Sequence, residues 1–196
     1  MKIGILALQG DFHEHQVCFN KLNVETQLVR SVSDLNLCDS LVIPGGESTT
    51  ISKLLKISNL DSEIITKSKS GMPLWGTCAG LILISKKIIE DDPIPLKLID
   101  VKTSRNFYGR QVDSFVEKID LYDDKKEFEA IFIRAPKIME IGKNVDILAT
   151  TNDKTPVAVQ SKNILGTTFH PELTDDLLSL IHISEPTRRY AIAYAV

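Results

Sequence analysis

Residues 76–80 read Gly-Thr-Cys-Ala-Gly, which places Cys78 between two glycines where a strand gives way to a helix. The apolar segment from Pro73 to Gly76 predicts the strand. A sharp turn after it brings neighbouring backbone close, and glycines at positions 76 and 80 leave room for that approach. The pattern predicts a nucleophile elbow with sulfur as the reactive atom. The alternative is an inert, buried cysteine in a tight turn, which is a common arrangement.

Short apolar, β-branched runs alternate with longer stretches of mixed polarity through the first half of the chain. This order is typical of βα units around a mostly parallel sheet. Strands are predicted at Lys2–Leu8, Val24–Arg30 and Leu41–Ile43. Helices are predicted from a cap at Asp11 to about Leu22, at Ile51–Ile57 with a cap from Ser48, Thr49 or Thr50, and at Leu60–Lys69.

The second half is rich in predicted strands separated by turn residues: Gln111–Ile119, Phe128–Ala135, Val145–Thr151, Pro156–Gln160 and Ile164–Phe169. No long Pro-, Gly- or Ser-rich linker divides the two halves, so we expect them to share one sheet system. The expected fold is α/β. It is a single three-layer domain over residues 1–178, with a mostly parallel central sheet flanked by helices and a β-rich second half.

Composition excludes several classes of protein. The chain has 196 residues, 43% of them hydrophobic and 25% charged, as expected of a folded globular protein. With 23 basic and 26 acidic side chains, the net charge of −3 gives no basic excess for nucleic-acid binding. Apolar runs are too short for a membrane span. Three cysteines without a C-x-x-C pair argue against a disulfide framework or a zinc site and favour a reducing, cytoplasmic compartment.

A nucleophilic cysteine needs a base, and His170 in Phe169-His170-Pro171-Glu172 is the candidate. Pro171 stiffens the chain, so the Glu172 carboxylate can reach back to one imidazole nitrogen and leave the other facing sulfur. A lone histidine is more often structural, but the His-x-Glu spacing at a strand end favours catalysis. Cys18 and Cys38 lack such a context and are interpreted as core or surface cysteines.

The segment Pro44-Gly45-Gly46-Glu47-Ser48-Thr49 is a second candidate element of a site. Such a loop can direct backbone N–H groups at an anion and so form an oxyanion hole. Taken alone, it is better interpreted as an ordinary glycine-rich turn. It is not a phosphate loop because the lysine of that motif is missing. Arg105 and Arg134 are candidates for binding a carboxylate, although surface arginines are usually solvated.

His13 and His15 flank Glu14 on the first predicted helix. Two imidazoles two positions apart point to different helix faces, which argues against a metal site. A solvated or interface helix is the better interpretation.

The three motifs around Gly46, Cys78 and His170, in that order and spacing, resemble those of class I (triad) glutamine amidotransferases. Three further blocks resemble the glutaminase subunit of pyridoxal 5′-phosphate synthase, and the similarity covers roughly residues 1–178. These blocks are 8–12 with Glu14-His15, Arg105-Asn106 through Gly109-Arg110-Gln111 to Ser114-Phe115, and 132–136.

The resemblance implies an activity and a set of site residues. Cys78 would attack the side-chain amide of L-glutamine, His170 would act as acid and base, and Glu172 would orient His170. It implies a glutamine pocket and two oxyanion N–H donors, with no cofactor or metal. The pocket residues are Gly46, Glu47, Ser48, Arg105, Ile133 and Arg134, and the oxyanion donors are Gly46 and Ala79.

The resemblance also implies a partner, a (β/α)₈-barrel synthase subunit that consumes the ammonia to make pyridoxal 5′-phosphate. Gln9, Gly10, Glu14 and His15 match a region that the family uses near that interface. The family ordinarily continues past His-Pro-Glu-Leu into an amphipathic helix, but the pattern fails here after about Leu178. Residues 179–196 are interpreted as an atypical tail, and a non-native origin such as frame-shifted or vector-read sequence is our hypothesis.

Three other functions compete with this one. The first is the glutaminase of another class I amidotransferase, such as imidazole glycerol phosphate synthase. The second is a non-catalytic subunit of the same fold, which the intact triad disfavours. The third is a cysteine hydrolase that acts on esters without a partner.

Overall fold

The structure is a computed structural model that describes residues 1–105, 114–121 and 124–174. The tail 179–196, the motif around Gly109 and the start of the strand predicted from Gln111 lie outside the described residues. Across the described chain, no helix combines the length and apolar character needed to cross a membrane.

The first half alternates strands and helices as predicted. The strands are β1 (Lys2–Leu6), β2 (Glu25–Val29), β3 (Ser40–Ile43) and β4 (Leu74–Thr77). The helices are α1 (Phe12–Lys21), α2 (Val32–Leu35), α3 (Ser48–Ile57), α4 (Leu60–Lys69) and α5 (Ala79–Ile84).

The second half is made of strands and ends, within the described residues, on a short 3₁₀ helix at Pro171–Leu173. The strands are β5 (Ser85–Ile88), β6 (Ile99–Ser104), β7 (Phe115–Leu121), β8 (Asp124–Phe132), β9 (Lys137–Ile141), β10 (Asp146–Thr150), β11 (Pro156–Ser161) and β12 (Ile164–Thr167).

The central sheet has nine strands in the order β2-β1-β3-β4-β12-β11-β10-β7-β8. From β2 to β12 every neighbouring pair is parallel, and the pairs from β12 to β8 are antiparallel. Strands β11 and β7 therefore run against the other strands of this sheet. Strands β4 and β12 lie side by side, with Thr77 opposite Thr167. The residues that follow them, Cys78 and the segment leading to His170, emerge at the same edge of the sheet.

Both faces of the sheet are covered. Leu41, Ile43 and Leu74 pack in one hydrophobic cluster with residues of α3, α4 and α5. Val42 and Trp75, which alternate with them, pack in a second cluster with residues of α1 and β8. Successive side chains of a strand point to opposite faces, so this alternation identifies a central layer between two others. The predicted α/β, three-layer fold is confirmed.

One prediction about local structure is incomplete and another is wrong. The nine-stranded sheet joins strands of both halves, as expected, but β5, β6 and β9 form a separate three-stranded sheet that was not predicted. Helix α5 is six residues long and wholly buried, so the chain leaves it directly into β5 beside the main sheet.

Helix α3 begins at Ser48 and is capped by Glu47, whose carboxylate accepts from the N–H groups of Thr49 and Thr50. A carboxylate satisfies two free N–H groups and complements the helix dipole, which a hydroxyl does less well.

Candidate active site

Cys78 occupies a strained turn between β4 and α5, with φ 48° and ψ −106°. A Cβ atom at Gly76 would lie 2.6 Å from the Gly80 carbonyl carbon, and one at Gly80 would lie 2.0 Å from the Ile43 carbonyl oxygen. Both glycines are therefore required by the close approach of backbone. The Cys78 N–H donates to the Thr167 carbonyl at 2.9 Å, which fixes the turn to β12. This backbone has the geometry predicted for a nucleophile elbow, and strain of this kind concentrates at functional sites.

His170 and Glu172 are held together after β12. The distance from His170 Nδ1 to Glu172 Oε1 is 2.7 Å, and both side chains are buried. The His170 N–H donates to the Ile131 carbonyl at 2.8 Å, which anchors the segment to β8. The Cys78 side chain is close enough to His170 that their interaction raises the pKa of the imidazole. The structure thus brings together the three residues that the sequence predicted as nucleophile, base and orienting carboxylate.

The charges in this trio reinforce one another. Burial alone lowers the pKa of His170, but hydrogen bonds to Cys78 and Glu172 outweigh it and raise the pKa to about 11. Burial would raise the pKa of Glu172, but the neighbouring His15 and His170 hold it below its ordinary value. His170 is therefore a cation at neutral pH, held between an anionic carboxylate and the sulfur of Cys78.

Asp11 is a site residue that the sequence did not reveal. It stands at the N-cap position of α1, yet its side chain makes no capping hydrogen bond. Its Oδ2 lies 3.4 Å from His170 Nδ1, so it is a second carboxylate beside the same nitrogen. Burial raises the pKa of Asp11, and the charge of His170 opposes that rise. The sequence feature that could have identified Asp11 as a site residue is its position directly after Gly10 in the Gln9-Gly10-Asp11 motif.

Asp11, His170 and Glu172 offer three potential ligand atoms within 4.8 Å of one another. The imidazole atom in this group is Nδ1, which carries a proton while His170 is a cation. A protonated nitrogen has no lone pair for a metal. The arrangement therefore suits a charged imidazole between two carboxylates better than a metal ion.

The glycine loop before α3 packs against the start of α1. A Cβ at Gly10, where φ is +99°, would lie 1.9 Å from the Gly45 carbonyl oxygen, and Gly46 has φ +147°. The Glu47 N–H donates to Gln9 Oε1 at 2.8 Å. The glycine loop was predicted to bind an oxyanion, and one of its N–H groups is therefore already hydrogen-bonded to Gln9. Ala79, the second predicted donor, is the first residue of α5.

Arg105 and Glu47, both predicted to bind substrate, form an ion pair with 3.0 Å between Nη2 and Oε1. Arg105 Nη1 donates to Thr49 Oγ1 at 3.0 Å and to the Asp92 carbonyl at 2.6 Å. Burial would raise the pKa of Glu47, but hydrogen bonds from Thr50 and Thr49 and the charge of Arg105 lower it. The Glu47 carboxylate is thus ionised beside the guanidinium group. Ser48, also predicted, is buried as the first residue of α3.

Ile133 and Arg134 lie beside Cys78. The Cys78 thiol contacts the Ile133 carbonyl oxygen, with Sγ at 3.8 Å from it. Arg134 has a positive φ of 46° and an exposed side chain. The left-handed backbone at this position turns the chain where it passes the sulfur.

The residues expected near a partner surface divide into two groups. Glu14 is exposed, and Gln9 and Gly10 are partly buried. His15 is 0% exposed, so it lies inside the fold, whereas His13 on the same helix is exposed; the place of His15 near a partner interface stays a prediction. His15 lies four residues after Asp11 on the face of α1 that packs against Glu172. Its burial depends on how α1 packs on the sheet, which the local sequence does not specify.

Comparison with known proteins agrees with this geometry. Residues 5–183 match the SNO glutamine amidotransferase family. A Thermosipho africanus protein named pyridoxal 5′-phosphate synthase subunit PdxT is 50% identical over 176 residues, which are 90% of this chain and 93% of that protein. The protein of the same name from Thermotoga petrophila is 49% identical over 178 residues, 90% of this chain and 94% of that protein.

Solved structures agree as well. A glutamine amidotransferase crystal structure has 37% identity and a TM-score of 0.88, and the match covers 95% of this chain and 98% of that one. A putative GMP synthase protein from Thermoplasma acidophilum shares the fold at 17% identity, with a TM-score of 0.71 and coverage of 100% and 96%. The predicted family resemblance is confirmed: the chain belongs to the SNO glutamine amidotransferase family.

Proposed function

We propose that this chain hydrolyses L-glutamine to L-glutamate and ammonia, as the glutaminase subunit of a pyridoxal 5′-phosphate synthase. The observation that carries the proposal is the continuous contact from Cys78 through His170 to Glu172 at the edge where β4 and β12 end. Family membership and relatives named as subunits of that synthase support it.

In the first half-reaction, the Cys78 thiolate attacks the side-chain carbonyl carbon of glutamine and forms a C–S bond. His170 gives its proton to the amide nitrogen, the C–N bond breaks, and ammonia leaves. The product on the protein is a γ-glutamyl thioester. In the second half-reaction His170 takes a proton from water, the water oxygen bonds to the thioester carbon, and the C–S bond breaks. Glutamate leaves and the thiolate and imidazolium return.

Glu172 acts on His170 and not on the substrate. Its carboxylate, 2.7 Å from Nδ1, keeps that nitrogen protonated and turns the other toward sulfur. Its negative charge also stabilises the imidazolium that the proton transfers require.

An α-amino acid offers a carboxylate and an ammonium, and the ionised Arg105–Glu47 pair offers a partner for each. We assign glutamine binding to the six residues predicted from the sequence. The N–H groups of Gly46 and Ala79 are assigned to the oxyanion. Because Gln9 holds the neighbouring Glu47 N–H, we expect the loop to adjust when the oxyanion site forms.

Ammonia released into water at neutral pH becomes ammonium, which is not a nucleophile. The product must therefore pass directly to a synthase subunit, which we propose to be a (β/α)₈ barrel. Gln9, Gly10 and Glu14 are the proposed contacts, since they lie at the accessible end of α1 beside the glycine loop.

Cys78 carries a free thiol, which supports a reducing, cytoplasmic compartment.

The test is glutamate release from glutamine, with and without the synthase subunit, by the wild type and by Cys78→Ser. We expect release that rises with synthase and disappears in the variant. An equal rate with and without synthase would reject the partnership, and activity surviving in the variant would reject the nucleophile.

A further inference from the structure

Helix α1 presents three groups to the His170–Glu172 pair, and the triad mechanism uses none of them. Asp11 lies 3.4 Å from His170 Nδ1, and His15 Nε2 lies 3.3 Å from Glu172 Oε2. Cys18 Sγ donates to the backbone carbonyl of Glu172 at 3.1 Å. The spacing of four and then three residues places all three on one helix face. Among them, His15 is the titratable group with no exposure to solvent.

His15 joins two parts of the site. Its Nε2 lies 3.2 Å from Thr77 Oγ1 as well as 3.3 Å from Glu172 Oε2. Thr77 is buried at the end of β4 and directly precedes Cys78. One nitrogen therefore stands between the strand that carries the nucleophile and the carboxylate that orients the base.

Aromatic rings fix the orientation of this imidazole. Trp75 meets it edge-on with ring centroids 6.0 Å apart, and Phe19 stacks with it at 6.4 Å. Packing on both sides restricts rotation of the ring. The Nε2 atom is thereby kept toward the two oxygens.

The single ring proton of His15 is more favourable on Nε2 than on Nδ1. Burial lowers the pKa of His15, so the ring is neutral and carries a single N–H. Within the described part of the chain, Nδ1 is buried without a hydrogen-bond partner, whereas Nε2 faces two oxygens. An N–H at Nδ1 would be an unpaired buried donor, which is costly, so the proton belongs on Nε2.

The two oxygens of the Glu172 carboxylate have different surroundings. Oε1 contacts His170, whereas Oε2 is buried and has no hydrogen-bond partner in residues 1–105, 114–121 and 124–174. The Nε2 atom of His15 lies 3.3 Å from that oxygen, so its N–H brings the positive end of a dipole to it. In a site closed to water, such a dipole has a large effect on an ionised carboxylate.

We propose that His15 is a positioning residue for glutamine hydrolysis: its Nε2–H supports Oε2 of Glu172, which leaves Oε1 for His170, and ties the carboxylate to Thr77. This inference rests on the proposed function. The charged groups around it are Glu172 from the 3₁₀ helix, His170 from the segment after β12, and Asp11 and Glu14 from α1 itself.

The test compares three variants in the complex with the synthase subunit. His15→Phe keeps an aromatic ring and removes the N–H, and His15→Gln returns an N–H near the Nε2 position. Val42→Ala is the packing control, since Val42 belongs to the same hydrophobic cluster as Phe19 and Trp75. Glutamate release is measured for kcat, KM and the pH profile, together with the melting temperature.

For His15→Phe we expect kcat to fall about 10- to 100-fold, as for other residues that orient a catalytic group, with little change in KM. The acid limb of the kcat profile moves to higher pH, because an unsupported Glu172 keeps its proton longer. His15→Gln restores most of kcat. Val42→Ala lowers the melting temperature and leaves kcat and its pH profile unchanged. An unchanged kcat in His15→Phe overturns the inference. A lower kcat also overturns it if the pH profile does not shift and His15→Gln does not restore kcat.

A second readout does not depend on turnover. Alkylation of Cys78 by iodoacetamide, mapped by peptide mass against Cys18 and Cys38, reports the thiolate across pH. Weaker support of Glu172 destabilises the His170 cation, so His15→Phe moves the alkylation profile to higher pH. An unshifted profile rejects the inference about His15. A wild type that alkylates normally but releases no glutamate with synthase rejects the proposed function instead.

Discussion

Thr77 and Thr167 lie opposite each other at the ends of the parallel strands β4 and β12, and the residue after Thr77 donates its N–H to the Thr167 carbonyl at 2.9 Å. This register places Cys78, the proposed nucleophile, and His170, the proposed base three residues beyond Thr167, at one edge of the sheet. Open α/β sheets bind ligands at the carboxyl ends of their strands. The chemistry of the site therefore depends on the pairing of two strands that are about ninety residues apart in the chain.

Gly80 has no room for a side chain. A Cβ atom there would lie 2.0 Å from the Ile43 carbonyl oxygen, which is backbone and cannot move aside. We expect Gly80→Ala to lower the free energy of unfolding in urea by about 3 kcal/mol or more. Gly71→Ala is the control, since a Cβ there meets nothing within 4 Å although φ is +100°. A smaller loss at Gly80 than at Gly71 would contradict the steric account of the elbow.

Glu172→Gln should separate charge from shape. The amide is close in size to the carboxylate but carries no charge, so the pKa of His170 falls from its raised value. We expect kcat for glutamine hydrolysis to drop about 10²- to 10⁴-fold, as in other triads that lose their carboxylate charge. Circular dichroism serves as the check on folding. A folded variant with near wild-type kcat would show that Glu172 has no part in the reaction.

Arg105→Lys should act on binding. A lysine cannot reproduce the contacts of the guanidinium with Glu47, Thr49 and the Asp92 carbonyl. We expect KM for glutamine to rise about tenfold or more, with kcat changed less. Lys102→Met, which breaks a surface ion pair with Glu140 on the three-stranded sheet, is the control and should leave KM unchanged. A fall in kcat alone would place Arg105 outside the glutamine pocket.

Stability at mildly acidic pH should reflect His15. Burial lowers the pKa of His15 below 6.5, so between 6.5 and that lower value the unfolded chain binds a proton that the folded chain does not. The free energy of unfolding therefore falls as pH decreases through this window, by at most about 1.4 kcal/mol per pH unit from this group. His170 adds nothing there, because its raised pKa of about 11 keeps it protonated in both states below 6.5.

Urea unfolding between pH 7 and pH 5 measures this slope. We expect His15→Phe to make the pH dependence shallower than in the wild type. His13→Asn, on the exposed face of the same helix, should retain the wild-type slope. Equal slopes in the wild type and His15→Phe would mean that His15 is charged in the folded protein.

The sequence predicted the parts of the site that are set by short spacing. The contact of His170 with Glu172 follows from two residues joined by a proline, and the elbow around Cys78 follows from two glycines. The contacts of Asp11 and His15 were not predicted, because they arise where α1 packs against a segment more than 150 residues later in the chain. No local pattern of polar and apolar residues encodes that packing.

The fold shows the same division. Strands and helices of the first half follow from the alternation of apolar and polar runs. The three-stranded sheet is not predicted because β5 places Lys86 and Lys87 between Ser85 and Ile88, and this short run has no clear strand period. The cap of α3 at Glu47 was not predicted, because hydroxyl residues are common helix caps and the family resemblance implies a substrate-binding role for Glu47.

Acid quenching during turnover with the synthase subunit, followed by peptide mass spectrometry, shows whether Cys78 carries the acyl intermediate. We expect the peptide containing Cys78 to carry the mass of a γ-glutamyl group, the peptides containing Cys18 and Cys38 to lack it, and the adduct to be lost in Cys78→Ser. Glutamate formed without any adduct on Cys78, or an adduct on another cysteine, would contradict this role of Cys78.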